Sequence, residues 1–156
     1  MGEQPRQSDA IAPPVGGILE TAVYVDDLNR ASAFYTRLLN MEPMLRQERL
    51  HAFPIAPGEA LLLFQRTLSQ HDSATTFGVI PGHTTTGRSH FAFRIAETQY
   101  EPWRAWLMHL GIALIGEVHW PQGGQSLYFE DVDGNVVEVA TPGLWANYRS
   151  EKETTV

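Results

Sequence analysis

The sequence repeats one order of secondary-structure elements twice. Each half opens with a strand of alternating apolar and polar residues, continues with an amphipathic helix, and ends with three more short strands. The opening strands are predicted at Ile18 to Val25 and at His90 to Ile95. This order predicts two consecutive modules of the form βαβββ, and it favours folds in which two such modules pair.

Capping signals indicate where the two helices begin and end. Asp26 or Asp27 can cap the first helix, whose apolar residues recur at helical spacing from Leu28 to Leu39, and Asn40 can end it in the left-handed conformation. Four apolar residues at helical spacing form the second helix, which Gly111 ends. The remaining strands are predicted at residues 43–46, 50–55, 60–65, 113–120, 125–130 and 136–140.

Composition shifts separate one domain, residues 16–145, from its flanking segments. The two ends of the chain are polar and without periodicity, which predicts tails. The segment between the modules is long and rich in Thr, Gly and His, so we expect it to wrap the surface or to cover a site. The predicted boundaries are 1–15 for the N-terminal tail, 16–69 for module one, 70–88 for the linker, 89–145 for module two and 146–156 for the C-terminal tail.

Composition also argues against several classes of function. The net charge is -7 and the basic residues are scattered, so the basic patch of a nucleic-acid-binding protein is missing. No apolar run approaches the roughly 20 residues of a membrane-spanning helix, and no signal-peptide pattern opens the chain. We therefore expect a cytoplasmic protein without nucleic-acid or membrane partners. Because the chain has no cysteine, any metal must be bound by His, Asp, Glu or backbone oxygen.

Three predicted strands carry a titratable residue on the face that does not pack against a helix. Glu20 stands at the start of the first strand as His90 stands at the start of the fifth, and Glu138 lies between two valines of the last strand. A buried carboxylate is costly unless it is paired. The partner of Glu138 is then either a metal ion or a neighbouring cation, for which Arg94 is the candidate.

A metal site follows if the two modules pair around a pseudo-two-fold axis. In that arrangement Glu20, His90 and Glu138 converge from distant parts of the chain. Leu63 holds the place in module one that corresponds to Glu138, so the fourth position carries no ligand. Three protein ligands with open positions are typical of a reactive metal rather than a structural one.

These residues resemble the vicinal oxygen chelate superfamily, which includes glyoxalase I, fosfomycin-resistance proteins, extradiol dioxygenases and bleomycin-binding proteins. The matching motifs are VYVDDLNRASAFYTRLLNMEP in module one, and SHFAF and GGQSLYFEDVDGNVVEVATPG in module two. The resemblance implies an α+β fold in which the two βαβββ modules form an open, curved mixed sheet around a divalent metal, which family members hold either within one chain or across a dimer. It also implies a homodimer and a small-molecule substrate.

The resemblance assigns roles to particular residues. The metal ligands carry over as Glu20, His90 and Glu138, of which Glu138 is also a catalytic candidate. Ser126 and Tyr128 match a pair that lines the substrate pocket of fosfomycin-resistance proteins. Strand alternation alone adds three cavity candidates: Tyr24 and Arg94 for substrate binding, and His119 for proton transfer.

Two departures from the family pattern leave several functions open. Glyoxalase I supplies a second carboxylate where this chain has Leu63, and extradiol dioxygenases and fosfomycin-resistance proteins begin with His where this chain has Glu20. One His with two carboxylates suits iron, manganese, nickel or zinc acting as a Lewis acid. The candidate functions are a metal-dependent isomerase or lyase acting through vicinal oxygens, an extradiol dioxygenase, and a metal-free antibiotic- or metabolite-binding protein of the bleomycin-resistance type.

Overall fold

The computed structural model describes residues 12–147; residues 1–11 and 148–156, which make up most of the two predicted tails, lie outside the described residues. Three helices and ten strands follow one another along this part of the chain. Their bounds are β1 Glu20–Val25, α1 Leu28–Leu39, β2 Leu45–Arg46, β3 Leu50–Ala56, β4 Glu59–Gln65, α2 Arg66–Ser69, β5 Ser73–Thr75, β6 Gly78–Ile80, β7 His90–Arg94, α3 Tyr100–His109, β8 Leu114–His119, β9 Gln125–Glu130 and β10 Val136–Ala140.

The two modules have the same sheet topology. Module one forms a four-stranded sheet of order β1-β4-β3-β2, and module two forms one of order β7-β10-β9-β8. In each sheet the opening strand runs parallel to the last strand of its module, and the other neighbours are antiparallel. The predicted fold class, an α+β protein of two βαβββ modules with curved mixed sheets, is confirmed.

The predicted helix ends agree with the structure. The side chain of Asp27 caps α1 by accepting a hydrogen bond from the backbone N–H of Arg30 at 2.9 Å. Asn40 ends the helix in the left-handed region with a φ of 49°. Gly111 follows α3 with a φ of 71°, a conformation that glycine adopts without the strain of a side chain.

The linker contains structure that the sequence did not predict. The short helix α2 precedes it, and β5 and β6 pair as a hairpin inside it. Thr75 holds the turn of this hairpin, because its hydroxyl donates to Gly78 O and accepts from Phe77 N. Strands of three residues in a segment rich in Thr and Gly give too little alternation to be recognised from sequence.

The main hydrophobic core lies between the helices and one face of each sheet. It joins residues from both modules, among them Val23, Tyr35, Leu63, Leu127 and Val139. The indole N–H of Trp106 in α3 donates to Leu38 O in α1 at 2.8 Å, which links the two helices. The alternation predicted for β1, β7 and β10 is therefore correct, and the opposite faces of the sheets are free to form a site.

A turn between β9 and β10 attaches module two to module one. The carboxylate of Asp131 is buried and accepts four hydrogen bonds, from Tyr35 Oη, Asp133 N, Asn135 N and Asn135 Nδ2, at 2.8 to 2.9 Å. Burial and the neighbouring Asp131 carboxylate raise the pKa of Tyr35 well above its usual value, so the phenol remains a donor. Asp133 accepts a further hydrogen bond from the backbone of Asp26 in module one.

None of the helices in residues 12–147 is long and apolar enough to cross a membrane.

Candidate active site

His90 and Glu138 meet on the open face of module two. The register of β7 and β10 places Ala92 directly beside Glu138, and His90 lies diagonally across from it. His90 Nε2 is 3.3 Å from Glu138 Oε2. The small side chain of Ala92 leaves the carboxylate open toward the cavity that both residues line.

Glu138 is a buried carboxylate that lacks a full set of partners. Its side chain is 5% exposed, and Oε1 has no hydrogen-bond partner among the described residues. Leaving a buried carboxylate oxygen unpaired is energetically costly. The predicted alternative partner, Arg94, instead pairs with Glu59 at 3.7 Å, so it does not neutralise Glu138. An unpaired carboxylate oxygen of this kind is what a residue that binds a cation presents to it.

The hydrogen bond on the other side of the His90 ring decides which nitrogen faces Glu138. Nδ1 lies 3.1 Å from Val136 O, and because a carbonyl oxygen can only accept, Nδ1 must donate. Nε2 is then the nitrogen that faces the carboxylate, and in the neutral ring it carries a lone pair. Proteins usually orient a metal-binding histidine in this way: the ring nitrogen that does not bind the metal donates to a backbone carbonyl. The donor set therefore fits a divalent cation.

Tyr128 extends the polar part of the cavity, whereas Ser126, the other predicted substrate-binding residue of β9, is fully buried and does not line it. Tyr128 is the direct neighbour of Glu138 across β9 and β10, and it lines the same cavity. Burial raises the pKa of Tyr128, a hydrogen bond with Ser126 lowers it, and the Glu138 carboxylate raises it further. Tyr128 thus stays protonated near neutral pH and can donate a hydrogen bond to a substrate oxygen.

The cavity beside this pair has a volume of about 560 Å³ and changes character along its length. His90, Tyr128 and Glu138 lie at one end. Trp120 and the segment from Pro142 to Trp145 lie at the other end, and they make it largely apolar; Arg94, which pairs with Ala140, also lies at this end. Sequence reasoning missed this apolar end, although Trp120 follows the alternation of β8 and therefore shares the face that Tyr128 occupies.

Glu20 does not join His90 and Glu138 within one chain. It lines a different cleft together with Glu59 and Arg94, and Arg94 stands at the opposite end of β7 from His90. The four residue steps from His90 to Arg94 span roughly 13 Å along the strand. In the part of the chain that the structure describes, no three His, Cys, Asp or Glu side chains lie close enough together to hold a metal ion. The predicted convergence is therefore wrong for a single chain.

The residue that matches Glu138 in module one is Leu62, not Leu63. The register of β1 and β4 aligns Ala22 with Leu62, as that of β7 and β10 aligns Ala92 with Glu138. Leu63 points to the opposite face and is fully buried in the main core. Because the matching residue is again a leucine, module one still lacks the second carboxylate of glyoxalase I.

The linker covers the open face of module one at Tyr24. The Tyr24 hydroxyl and His83 Nδ1 share a hydrogen bond of 2.7 Å. The ring of His83 also packs edge-on against Phe64, with 4.6 Å between ring centroids. The linker thus covers the open face of one module, as expected, but Tyr24 is not among the residues that line the cavity beside Glu138.

His119 lies outside the cavity, so the prediction that it faces the substrate is wrong. Its ring packs near Tyr100 of α3, and Nε2 is 3.9 Å from Glu117 Oε1. A shift in the pairing register between β8 and β9 occurs near Gly116, and Gly116 rather than its neighbours lies against Tyr128. His119 therefore falls on the face of β8 that is turned toward α3.

The contact between Tyr100 and Glu117 predicts alkaline sensitivity. The Tyr100 hydroxyl donates to Glu117 Oε1 at 2.6 Å, and burial followed by this carboxylate raises the pKa of Tyr100 to about 12. A phenol whose pKa is raised on folding stabilises the protein fully below about pH 10, and that stabilisation is lost as the pH rises toward 12. Tyr100→Phe should lower the free energy of unfolding at neutral pH, and its difference from the unaltered protein should shrink between pH 9 and 12. Denaturant titrations at several pH values measure this, and a constant difference would contradict the assignment.

Comparisons with known proteins give one family and several similar structures. The profile of the Glyoxalase/Bleomycin resistance protein/Dioxygenase superfamily matches residues 17–139. The crystal structure of a lactoylglutathione lyase from Agrobacterium tumefaciens matches with a TM-score of 0.77 and 34% identity, covering 86% of this chain and 99% of that chain. A fosfomycin resistance protein from Listeria monocytogenes gives a TM-score of 0.58 at 21% identity, covering 84% and 97% of the two chains. A glyoxalase/bleomycin resistance protein from Catenulispora acidiphila gives 0.58 at 18%, covering 79% and 96%, and these last two share the fold.

Proposed function

Because this chain belongs to the Glyoxalase/Bleomycin resistance protein/Dioxygenase superfamily, we propose that it is a divalent-metal-dependent enzyme that acts on a small substrate through two adjacent oxygens. The reaction is of the isomerase or lyase type. The likeness to a lactoylglutathione lyase at 34% identity supports this class. The observation that carries the proposal is the buried, unpaired Oε1 of Glu138 beside His90.

His90 and Glu138 supply two of the ligands, and a second copy of the chain supplies the third. Glu20 is exposed on the open face of module one, and within the described part of one chain it does not form a metal-binding group of three with His90 and Glu138. A homodimer that sets module one of one copy against module two of the other brings Glu20 of the partner subunit to the pair. Two carboxylates and one imidazole then neutralise a divalent cation and leave positions open for substrate.

Three residues around the proposed metal site have distinct roles in the proposed reaction. A bound iron, manganese, nickel or zinc ion supplies Lewis acidity, which stabilises negative charge that develops on substrate oxygens. Tyr128 is protonated and donates a hydrogen bond to one of those oxygens. Val136 O holds the His90 ring in place. Arg94 lines the cavity and contacts the distal part of the substrate.

Metal binding by the purified protein tests the proposal. After the protein has been loaded separately with iron, manganese, nickel or zinc, elemental analysis should find about one metal ion per chain. We expect nitrogen and oxygen atoms to bind that ion. His90→Ala should weaken metal binding by more than about 100-fold, since even residues behind the ligands account for 10- to 100-fold. His109→Ala is the matched control, because His109 ends α3 outside this cavity. Unaltered protein that holds no metal after loading would favour the metal-free binding protein instead.

A further inference from the structure

We infer that the substrate carries an apolar body of low charge next to its two adjacent oxygens, and that it is not a glutathione conjugate. This inference rests on the proposed function, because it names the substrate class for the same site. The observations that support it are the apolar end of the cavity and the scarcity of cations around it.

The apolar end of the cavity presents two tryptophans. The Trp120 indole N–H donates to Ser126 Oγ at 2.8 Å, so its only polar group is satisfied and its ring is held in place. Trp145 lines the same end and is 76% exposed, although it is among the largest apolar residues of the chain. Leu144 lines the same cavity and lies close to Gly124. An exposed tryptophan at the rim of a cavity provides a large apolar surface for a ligand to cover.

The residues around the cavity offer too few cations to bind a substrate that carries several negative charges. Among the described residues that line it, Arg94 is the single Arg or Lys, and Glu59 already lies 3.7 Å from its guanidinium. On β1 and β4, the open face of module one, which the proposed dimer sets opposite, carries no Arg or Lys; its residues there are Glu20, Ala22, Tyr24, Ala60, Leu62 and Phe64. His83 of the linker also lies on this face, against Tyr24 and Phe64.

A glutathione conjugate would place two carboxylates in this environment. At most one of them could pair with Arg94, and the other would lose water without gaining a cation. An uncharged apolar group instead gains about 25 cal/mol for each Å² that it buries against the tryptophans. The arrangement therefore selects for the apolar body.

Two hydroxamates that differ only in their apolar body provide the test. Both acetohydroxamate and benzohydroxamate present two adjacent oxygens, and S-lactoylglutathione represents the glutathione conjugates. On the metal-loaded protein, calorimetry should show benzohydroxamate binding at least about 10-fold more tightly than acetohydroxamate, a difference of 1.4 kcal/mol. S-lactoylglutathione should bind more weakly than benzohydroxamate. Equal affinities for the two hydroxamates, or a preference for S-lactoylglutathione, would overturn the inference.

Variants of Trp145 test whether this residue produces the preference for benzohydroxamate over acetohydroxamate. Trp145→Ala should reduce the ratio of the affinities for benzohydroxamate and acetohydroxamate to about 3-fold or less. Trp145→Phe should restore most of this ratio. Met108→Ala is the control, because Met108 is equally exposed at 78% but lies on α3 outside this cavity. Size-exclusion chromatography accompanies each variant; a Trp145→Ala protein that loses its dimer and keeps its ratio would assign Trp145 to the subunit interface and overturn this part of the inference.

Metal content measured on the same samples separates this inference from the proposed function. Protein that holds its metal but does not distinguish phenyl from methyl contradicts the substrate class alone. Protein that holds no metal but still prefers the phenyl compound contradicts the proposed function and supports the apolar cavity.

Discussion

Glu138→Gln is expected to abolish tight metal binding while it leaves the metal-free chain close to its original stability. The glutamine keeps the shape of the side chain but removes the charge from a buried position that has an unpaired oxygen. Loss of a ligand should weaken metal binding by more than about 100-fold. Removal of a costly buried charge offsets the loss of other contacts, so the free energy of unfolding without metal should change by less than about 1 kcal/mol.

Denaturant titrations with and without metal measure both effects. In the unaltered protein, metal at 100 times its dissociation constant should add about 2.7 kcal/mol to the free energy of unfolding. In Glu138→Gln this gain should disappear. Glu130→Gln is the matched control, because Glu130 stands on the neighbouring strand, is exposed, and pairs with Arg88. An equal gain in Glu138→Gln and in the unaltered protein would show that the metal binds elsewhere.

Asp131→Ala should cost the largest amount of stability of any single change proposed for this chain, about 3 kcal/mol or more. Asp131 is 6% exposed and accepts from Tyr35, Asp133 and twice from Asn135. Alanine would leave several of these donors buried without a partner, at about 1 to 3 kcal/mol each. The same turn carries the contact between Asp133 and Asp26, so the two modules would also separate more easily.

Two milder variants calibrate this loss. Tyr35→Phe removes one of the donors and should cost about 1 to 2 kcal/mol. Asp133→Ala removes one hydrogen bond, to Asp26 N, and should cost about 1 kcal/mol. Equilibrium unfolding of the three variants compares them directly. If Asp131→Ala were no more destabilised than Asp133→Ala, the buried carboxylate would not hold the turn as described.

Local rules were sufficient to predict the order of the elements, whereas their assembly into open, curved sheets was predicted from the family resemblance. Alternation on β1, β7 and β10 placed Val23, Phe93 and Val139 in the core. Capping placed the start of α1 at Asp26 or Asp27, of which Asp27 is the cap, and its end at Asn40. These features depend on neighbours within a few residues, so the sequence alone specifies them. The same alternation correctly placed His90 and Glu138 on one open face.

The errors arose where a prediction needed the register between strands. Counting residues from the start of each module gave Leu63, but the pairing of β1 with β4 aligns Leu62 with Glu138. For His119 the pairing is needed as well: Gly116 pairs with Tyr128, so regular alternation from Gly116 turns His119 toward α3. A change of one residue in register exchanges the two faces of a strand, so counting along the chain cannot replace the pairing.

The position of Glu20 needed information beyond one chain. Alternation gave its face correctly, but the start of β1 lies beside Arg94 and not beside His90. In the proposed dimer two copies build the site together, and such a site would leave no pattern in the sequence that distinguishes it from a site within one copy. The unpaired oxygen of Glu138 is the local sign that a ligand from elsewhere is missing.

The most direct test of a cation shared by His90, Glu138 and Glu20 is a crystal structure of the metal-loaded protein with anomalous scattering recorded at the iron, manganese, nickel and zinc edges. We expect one peak per chain, about 2.0 to 2.2 Å from His90 Nε2 and from a carboxylate oxygen of Glu138, with Glu20 of the partner subunit completing the ligand set. A peak at other residues, or none at full metal loading, would contradict the proposed site.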